Sequence, residues 1–149
     1  MPIERGTGDL LDADVDALVN AVNCVGVMGK GLAAQFKKVF PDVFAEYARA
    51  CKRGEVRPGK VHVVSRREVP RHVINFPTKD HWRGASRIEW IRDGLASLVQ
   101  AVRSLGIRSI AIPPLGCGLG GLEWAAVRPL IQDAFAEMPA VRVVLFEPR

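Results

Sequence analysis

Residues 17 to 39 read ALVNAVNCVGVMGKGLAAQFKKV. The mostly apolar residues of Ala17–Val22 predict a buried strand, and apolar side chains at helical spacing predict a helix over residues 32–39. The loop between them ends in Gly29-Lys30-Gly31. Glycines let a phosphate approach the backbone closely, and a helix N-terminus favours negative charge. This loop is therefore predicted to bind phosphate.

A second glycine-rich loop has the same position relative to its neighbours. Residues 113 to 122 read PPLGCGLGGL, after a predicted strand over residues 109–113 and before a predicted helix over residues 123–137. A diphosphate needs hydrogen-bond donors on two sides, and two such loops would supply them. The alternative is that both loops are merely tight turns.

The first loop does not match the P-loop of ATPases. That motif needs a Gly five residues before the Gly-Lys pair and a Ser or Thr directly after the Lys. This chain has Cys24 and Gly31 at those places. The spacing and the missing magnesium ligand therefore argue against an ATPase.

The remaining segments alternate between strands and helices, which implies an α/β sheet covered on both faces. Ligands of such folds collect at the carboxyl ends of strands, which selects the loops after residues 22, 76 and 113. Ser86 is predicted to cap a long helix that ends before Gly106, with Glu89 completing a capping box. Further strands are predicted near residues 3–5 and over residues 60–64, 73–76 and 141–146, and a further helix over residues 43–51.

Composition favours a single globular domain with anionic partners. The chain has 149 residues and a net charge of +5, a balance that suits nucleotides or nucleic acid. Its three cysteines, Cys24, Cys51 and Cys117, form no CxxC pair, which argues for reduced thiols and against a structural zinc. His62 and His72 show no metal-ligand spacing either, so no metal site is expected. Without an apolar run long enough for a membrane or a signal peptide, the protein is predicted to be cytoplasmic.

Four motifs resemble the macrodomain family in their expected order: Gly8-Asp9-Leu10, residues 18–23 (LVNAVN), Gly29-Lys30-Gly31 and residues 114–120 (PLGCGLG). The resemblance covers nearly the whole chain. It implies a three-layer α/β/α domain over residues 1–149, built around a mixed, largely parallel sheet. It also implies ADP-ribose as the ligand, with no cofactor.

Two longer stretches narrow the resemblance. Residues 23–38 and 75–83 are similar to the branch that contains the bacterial DNA ADP-ribosyl glycohydrolase antitoxins. The resemblance implies an enzyme that removes ADP-ribose from thymine in single-stranded DNA and so reverses a cognate DNA ADP-ribosyltransferase toxin. A monomer is expected. Such antitoxins often continue into a second region, and the sequence leaves open whether this chain is the N-terminal part of a longer one.

The resemblance also implies which residues hold the ligand. Asp9 would contact the adenine amine, Phe146 would stack on adenine, and Asn20 or Asn23 would lie near the distal ribose. Taken alone, Asp9 is more typical of a turn or cap, and Phe146 could equally be a core residue. The expected ADP-ribose contacts are Asp9, Leu10, Asn20, Asn23, Val27, Met28, Gly29, Lys30, Gly31, Thr78, Leu115, Gly116, Cys117, Gly118, Leu119, Gly120 and Phe146.

With the resemblance, Lys79 is the expected catalytic residue, and it follows a strand end on the same rim as both loops. Taken alone, Lys79 is more typical of a solvated lysine or a phosphate ligand. Its neutral amine could attack the anomeric carbon of ribose, or the opened aldehyde as a Schiff base. His81, or failing that Asp80, is the weaker candidate for proton transfer. Related lysine-dependent macrodomains that act on protein adducts carry an Asp where this chain has Gly120, so the proton donor stays open.

Trp82 and Arg83 are weaker candidates for DNA contacts, since an aromatic ring stacks on bases and Arg pairs with phosphate. Trp82 could equally pack the loop against the domain. Three alternative functions remain at this point. They are an ADP-ribose-binding module without chemistry, a hydrolase of ADP-ribosylated protein, and a nucleic-acid-binding domain without a nucleotide pocket.

Overall fold

The computed structural model describes residues 3–148, in which six strands form one sheet of order β1-β6-β5-β2-β4-β3. All neighbouring strands run parallel except β3 and β4, which pair antiparallel. The sheet is therefore mixed and largely parallel, as expected. The strands are β1 (Ile3–Arg5), β2 (Ala17–Val22), β3 (His62–Ser65), β4 (His72–Pro77), β5 (Ser109–Ile112) and β6 (Arg142–Leu145).

Four α-helices cover the two faces of this sheet. Successive residues of β2 point to opposite faces, so that Leu18 and Val19 belong to different buried clusters. One cluster packs the sheet against α3 and α4, and the other packs it against α1 and α2. This is the three-layer α/β/α arrangement that the family resemblance implied. The helices are α1 (Gly31–Val39), α2 (Pro41–Lys52), α3 (Ile88–Leu105) and α4 (Trp124–Phe135).

All the predicted strands and helices form, and their ends match the prediction or are shifted by at most two residues. The β3 strand begins at His62 rather than at residue 60, because the Val61 N–H is bonded to the Ser97 hydroxyl of α3 at 3.0 Å. Two short 3₁₀ helices, Leu10–Asp12 and Gly118–Gly120, were not predicted. None of the helices among the described residues has the length and apolar character needed to cross a bilayer.

The predicted capping box at Ser86 is wrong. The α3 helix begins at Ile88, and its N-cap is Arg87, which makes no side-chain capping bond within residues 3–148. The Ser86 N–H instead donates to the Gly120 carbonyl at 3.0 Å, and its side chain is buried. A contact with the second glycine loop therefore replaces the local cap that the sequence pattern favoured.

Candidate functional site

Backbone hydrogen bonds join the loops at the carboxyl edge of the sheet. The Thr78 N–H donates to the Val22 carbonyl at 2.9 Å, which holds the β4 exit beside the β2 exit. On the other side, the Phe146 N–H donates to the Ile112 carbonyl at 2.9 Å. The loops selected by the strand-end rule therefore lie along one edge of the sheet.

A cleft of about 480 Å³ opens along this edge. It brings together four of the expected ligand residues, Asp9, Leu10, Gly31 and Phe146. Lys79 and the loop from Gly116 to Gly120 do not line it. The lining residues are Arg5, Gly6, Gly8, Asp9, Leu10, Gly31, Leu32, Gln35, Pro113, Pro114, Phe146, Glu147 and Pro148.

Asp9 and Phe146 are positioned by their immediate neighbours. The Asp9 carboxylate accepts the Leu11 N–H at 3.0 Å and so caps the 3₁₀ helix Leu10–Asp12, which agrees with the capping interpretation of Asp9 taken alone. Phe146 is half-buried, and its ring lies over Gly6, where a Cβ would come within 2.6 Å of the ring carbons. A contact of either residue with adenine stays a prediction.

Asn23 organises the first glycine loop. Its amide oxygen accepts the Val25 N–H at 3.1 Å and the Tyr47 hydroxyl at 2.8 Å, and its amide nitrogen donates to the Val27 carbonyl at 2.8 Å. Tyr47 is fully buried on α2, and burial raises the pKa of its phenol. The observed bonds of the Asn23 side chain thus shape the loop from within, and a contact with ribose stays a prediction.

Asn20 and Met28 lie beneath the first loop. Asn20 has no exposed surface, and its amide nitrogen donates to the Asn75 amide oxygen at 3.5 Å. Met28 is 2% exposed, and its sulfur also faces the Asn20 amide. The exposed residues of the loop include three of the expected ligand residues, Val27, Gly29 and Lys30. Val25 is exposed as well.

The start of α1 is suited to an anion. Lys30 is its N-cap residue in extended conformation, and among the described residues it makes no side-chain capping bond. Because the first N–H groups of a helix have no partners within the helix, they remain available to phosphate oxygens. Gly31, the first residue of α1, has φ +58° and lines the cleft.

The second glycine loop is closed by its own backbone. The Leu122 N–H donates to the Gly116 carbonyl at 2.9 Å, and Gly116 and Gly118 have φ values of +74° and +66°. Gly118 and Leu119 are exposed at its tip, with Leu119 at 71%. The other expected residues of this loop, Leu115, Gly116, Cys117 and Gly120, are buried or half-buried.

The segment that carries Lys79 is attached to the first loop. The Cys24 N–H donates to the Asp80 carbonyl at 3.1 Å, and the Cys24 thiol lies 3.5 Å from the Lys79 carbonyl. Burial raises the pKa of that thiol to about 12. Thr78 is buried, Lys79 is half-buried, and the Lys79 amine donates to the Trp82 carbonyl at 3.4 Å.

The chain turns directly after Lys79. The Gly84 N–H donates to the His81 carbonyl at 2.9 Å, so His81 does not share an extended face with Lys79. Its Nδ1 accepts the Arg83 N–H at 3.1 Å instead. The Arg83 guanidinium lies 4.5 Å from the centre of the Trp82 ring, and both side chains are exposed.

A match to a protein-family model shows which family the chain belongs to. The Macro domain model matches residues 19–131. The chain belongs to the Macro domain family. Within residues 3–148, this macrodomain holds no cluster of three or more His, Cys, Asp or Glu side chains suited to a metal.

Similar macrodomains include curated bacterial proteins. The DNA ADP-ribosyl glycohydrolase of Mycobacterium tuberculosis is 52% identical over 148 residues, which is 98% of this chain and 42% of that protein. The protein of the same name from Thermus aquaticus is 51% identical over 95% of this chain and 40% of its own length. The present chain thus spans less than half the length of these relatives.

Solved macrodomain structures agree with this relationship. The macrodomain of M. tuberculosis DarG superposes with a TM-score of 0.97 at 52% identity, covering 99% of this chain and 98% of that chain. Thermosipho africanus DarTG, solved in complex with ADP-ribose, gives a TM-score of 0.88 at 38% identity, covering 95% of this chain and 40% of that chain.

Sequence reasoning missed three residues that shape this macrodomain site. Gly6 and Tyr47 have no local signature, since each acts on a residue distant in the chain. Ser86 had a signature, but the pattern pointed to a helix cap. Pairing each loop residue with a partner would have required the tertiary structure.

Proposed function

We propose that this macrodomain is a DNA ADP-ribosyl glycohydrolase that removes ADP-ribose from thymine bases in single-stranded DNA. The observation that carries the proposal is the placement of Lys79. It is half-buried on a short segment that is hydrogen-bonded to the first glycine loop at Asp80 and to the second at Ser86. The relatives at 51–52% identity bear this enzyme's name.

The cleft supports ADP-ribose as the bound part of the substrate. Asp9 and Phe146 both line it, and a carboxylate and an aromatic ring suit the amine and the face of adenine. Gly31 and the start of α1 supply N–H groups for the diphosphate. The strands that lead to Phe146, Gly31 and Lys79 are β6, β2 and β4, which lie in this order across the sheet. A ligand with its adenine at Phe146 and its diphosphate at Gly31 therefore extends its distal ribose toward the Lys79 segment.

Lys79 then acts as the nucleophile. The lone pair of its Nζ attacks the anomeric carbon of the distal ribose while the bond to the thymine nitrogen breaks. The base leaves with the electron pair of that bond and takes up the proton that the newly bonded lysine nitrogen gives up. Water hydrolyses the resulting amine adduct, which releases ADP-ribose and restores the lysine. The reaction requires no cofactor.

Exposed side chains around the Lys79 segment support a nucleic acid as the other part of the substrate. Trp82 is 42% exposed and offers a face for base stacking, with Arg83 beside it for a phosphate. Val25, Val27 and Leu119 expose apolar surface on the two glycine loops. The net charge of +5 favours the approach of DNA.

A DNA ADP-ribosyltransferase toxin is the proposed functional partner. A relative from T. africanus, 40% identical over 141 residues, is a fusion of a DNA ADP-ribosyl transferase with a DNA ADP-ribosyl glycohydrolase. The match covers 83% of this chain and 36% of the fusion protein. A chain that unites both activities supports an antitoxin role for this macrodomain.

Lys79→Ala tests the proposal directly. Release of ADP-ribose from a modified oligonucleotide should fall by about 1,000-fold or more, because the nucleophile is gone. Calorimetry should show nearly unchanged ADP-ribose affinity, since Lys79 does not line the cleft. Lys38→Ala, at an exposed lysine near the end of α1, is the control and should retain both properties.

Two outcomes would contradict the proposal. Retained turnover in Lys79→Ala would remove Lys79 from the catalytic role. A wild-type protein that binds ADP-ribose but releases none from DNA would be a binding module.

A further inference from the structure

Ser86 is an unusual residue in the segment that carries Lys79. Within residues 80–87, all of which the structure describes, Ser86 alone is buried, at 7% exposure. Its hydroxyl oxygen has no hydrogen-bond partner in the described part of the chain. Because a buried hydroxyl without a partner is costly, its presence calls for an explanation.

The Ser86 side chain fills the space between the two ends of the second glycine loop. A Cβ at Gly120 would overlap the Ser86 Oγ and would lie 3.1 Å from the Ser86 Cβ. A Cβ at Gly116 would lie 3.3 Å from the Ser86 Cβ. The Ser86 N–H also donates to the Gly120 carbonyl at 3.0 Å. Ser86 is thus packed against Gly116 and Gly120 at once.

The same segment is attached to the first loop at its other end, where the Asp80 carbonyl accepts the Cys24 N–H. Lys79 therefore lies on a segment that joins both glycine loops. A change in the contact between Ser86 and Gly120 would shift the second loop relative to Lys79.

We propose that Ser86 is a positioning residue, which sets the distance between the second glycine loop and the Lys79 amine through its contact with Gly120. The inference rests on the proposed function and names how the site is held for that reaction. It also explains why residue 120 has no side chain in this chain. The Ser86 side chain already occupies the space that such a side chain would need.

A double-mutant cycle tests this role. Gly120 does not have a positive φ, so its alanine variant is opposed by the contact with Ser86 rather than by the backbone. Gly120→Ala should lower turnover by about 10-fold to 100-fold, the cost of a displacement near 1 Å in a catalytic site. Ser86→Gly empties the same space and should lower turnover by a smaller factor.

The double variant Ser86→Gly/Gly120→Ala is the deciding measurement. Its alanine methyl group enters the space that Ser86 has left, so turnover should return to within about threefold of Ser86→Gly alone. Gly84→Ala is the matched control, because its Cβ would meet the His81 carbonyl at an ordinary 3.4 Å. It should retain activity, and Ser86→Gly should not change its effect.

Thermal unfolding of each variant separates a loss of folding from a loss of positioning. Independent, multiplicative effects of the two substitutions would overturn the role of Ser86. The cycle is also measured on ADP-ribose affinity, which needs no turnover. If the wild type releases no ADP-ribose from DNA, the proposed function fails, while the affinity cycle still decides whether Ser86 and Gly120 are coupled.

Discussion

At the scale of single residues, hydrogen bonds of the Asn23 side chain stabilise the shape of the first glycine loop. Asn23 ties Val25 and Val27 of the first loop to Tyr47 on α2, with a buried bond to Tyr47 and part-buried bonds to the loop. A hydrogen bond of this kind contributes about 1 kcal/mol, whereas breaking one by removing a single partner costs more. The shape of the loop therefore depends on α2 as well as on its glycines.

Ser86→Ala gives a prediction for stability at this scale. Removing a buried hydroxyl without a partner should leave the free energy of unfolding unchanged or raise it by up to about 1 kcal/mol. Ser97→Ala is the matched control, because the Ser97 hydroxyl accepts the Val61 N–H at 3.0 Å. It should lower that free energy by about 0.5 to 1.5 kcal/mol in urea unfolding. A larger loss of unfolding free energy in Ser86→Ala than in Ser97→Ala would show that the Ser86 hydroxyl makes a stabilising hydrogen bond.

At the scale of helices and strands, α3 shares with α1, α2 and α4 a start that no side chain caps within the described residues. Arg87 has the extended N-cap conformation, but its side chain makes no capping bond within the described residues. Ser86, which the pattern favoured as the cap, is held by the second glycine loop. The α3 helix therefore starts without the serine cap, because Ser86 contacts the second glycine loop instead.

Arg87→Ser should therefore stabilise the protein. A serine N-cap adds about 1 kcal/mol, and the loss of the Arg87 contact with the Trp90 ring at 5.3 Å offsets about half of it. The melting temperature should rise. Arg92→Ser, at an exposed position within α3, is the control and should leave the melting temperature unchanged or slightly lower. A fall in melting temperature for Arg87→Ser would show that Arg87 has another structural role.

The elements were predictable from the sequence because their signals are local. The apolar run of Ala17–Val22 and the helical period of α3 are local patterns, and the glycine loops are marked by their local composition. The contacts of Ser86 with Gly120 and of Gly6 with Phe146 join distant parts of the chain, and no local period encodes them. The position of the loops at the carboxyl edge of the sheet was therefore predictable, whereas the packing of residues behind those loops was not.

At the scale of the whole molecule, a chain of polar side chains links three neighbouring strands, β2, β4 and β3. The Asn20 amide donates to Asn75 in β4, and the Asn75 amide donates to the His62 ring in β3 at 3.2 Å. A neutral imidazole accepts that bond, and a protonated one does not. Burial lowers the pKa of both His62 and His72.

Stability should accordingly depend on pH at both ends of the range. Because the pKa of His62 and His72 is lowered in the folded state, protons bind the unfolded chain preferentially, and stability falls as pH drops below the ordinary value of 6.5. The pKa of Cys24 is raised to about 12, so stability also falls as pH rises above its ordinary value of 9.0.

Urea unfolding across this range provides the measurement. The free energy of unfolding should be highest between the two limits. His62→Gln keeps an acceptor that does not titrate, and it should weaken the decline on the acid side. If the fall in unfolding free energy at low pH is unchanged in His62→Gln, that fall arises from titratable groups other than His62.

The most direct test of the central claim is the release of free ADP-ribose by the wild-type protein from two substrates in parallel. One is single-stranded DNA modified on thymine, and the other is an ADP-ribosylated protein. If this macrodomain is the proposed DNA ADP-ribosyl glycohydrolase, release from the DNA is rapid, release from the protein is slow, and Lys79→Ala loses the DNA reaction. Equal or faster release from the modified protein would contradict this function.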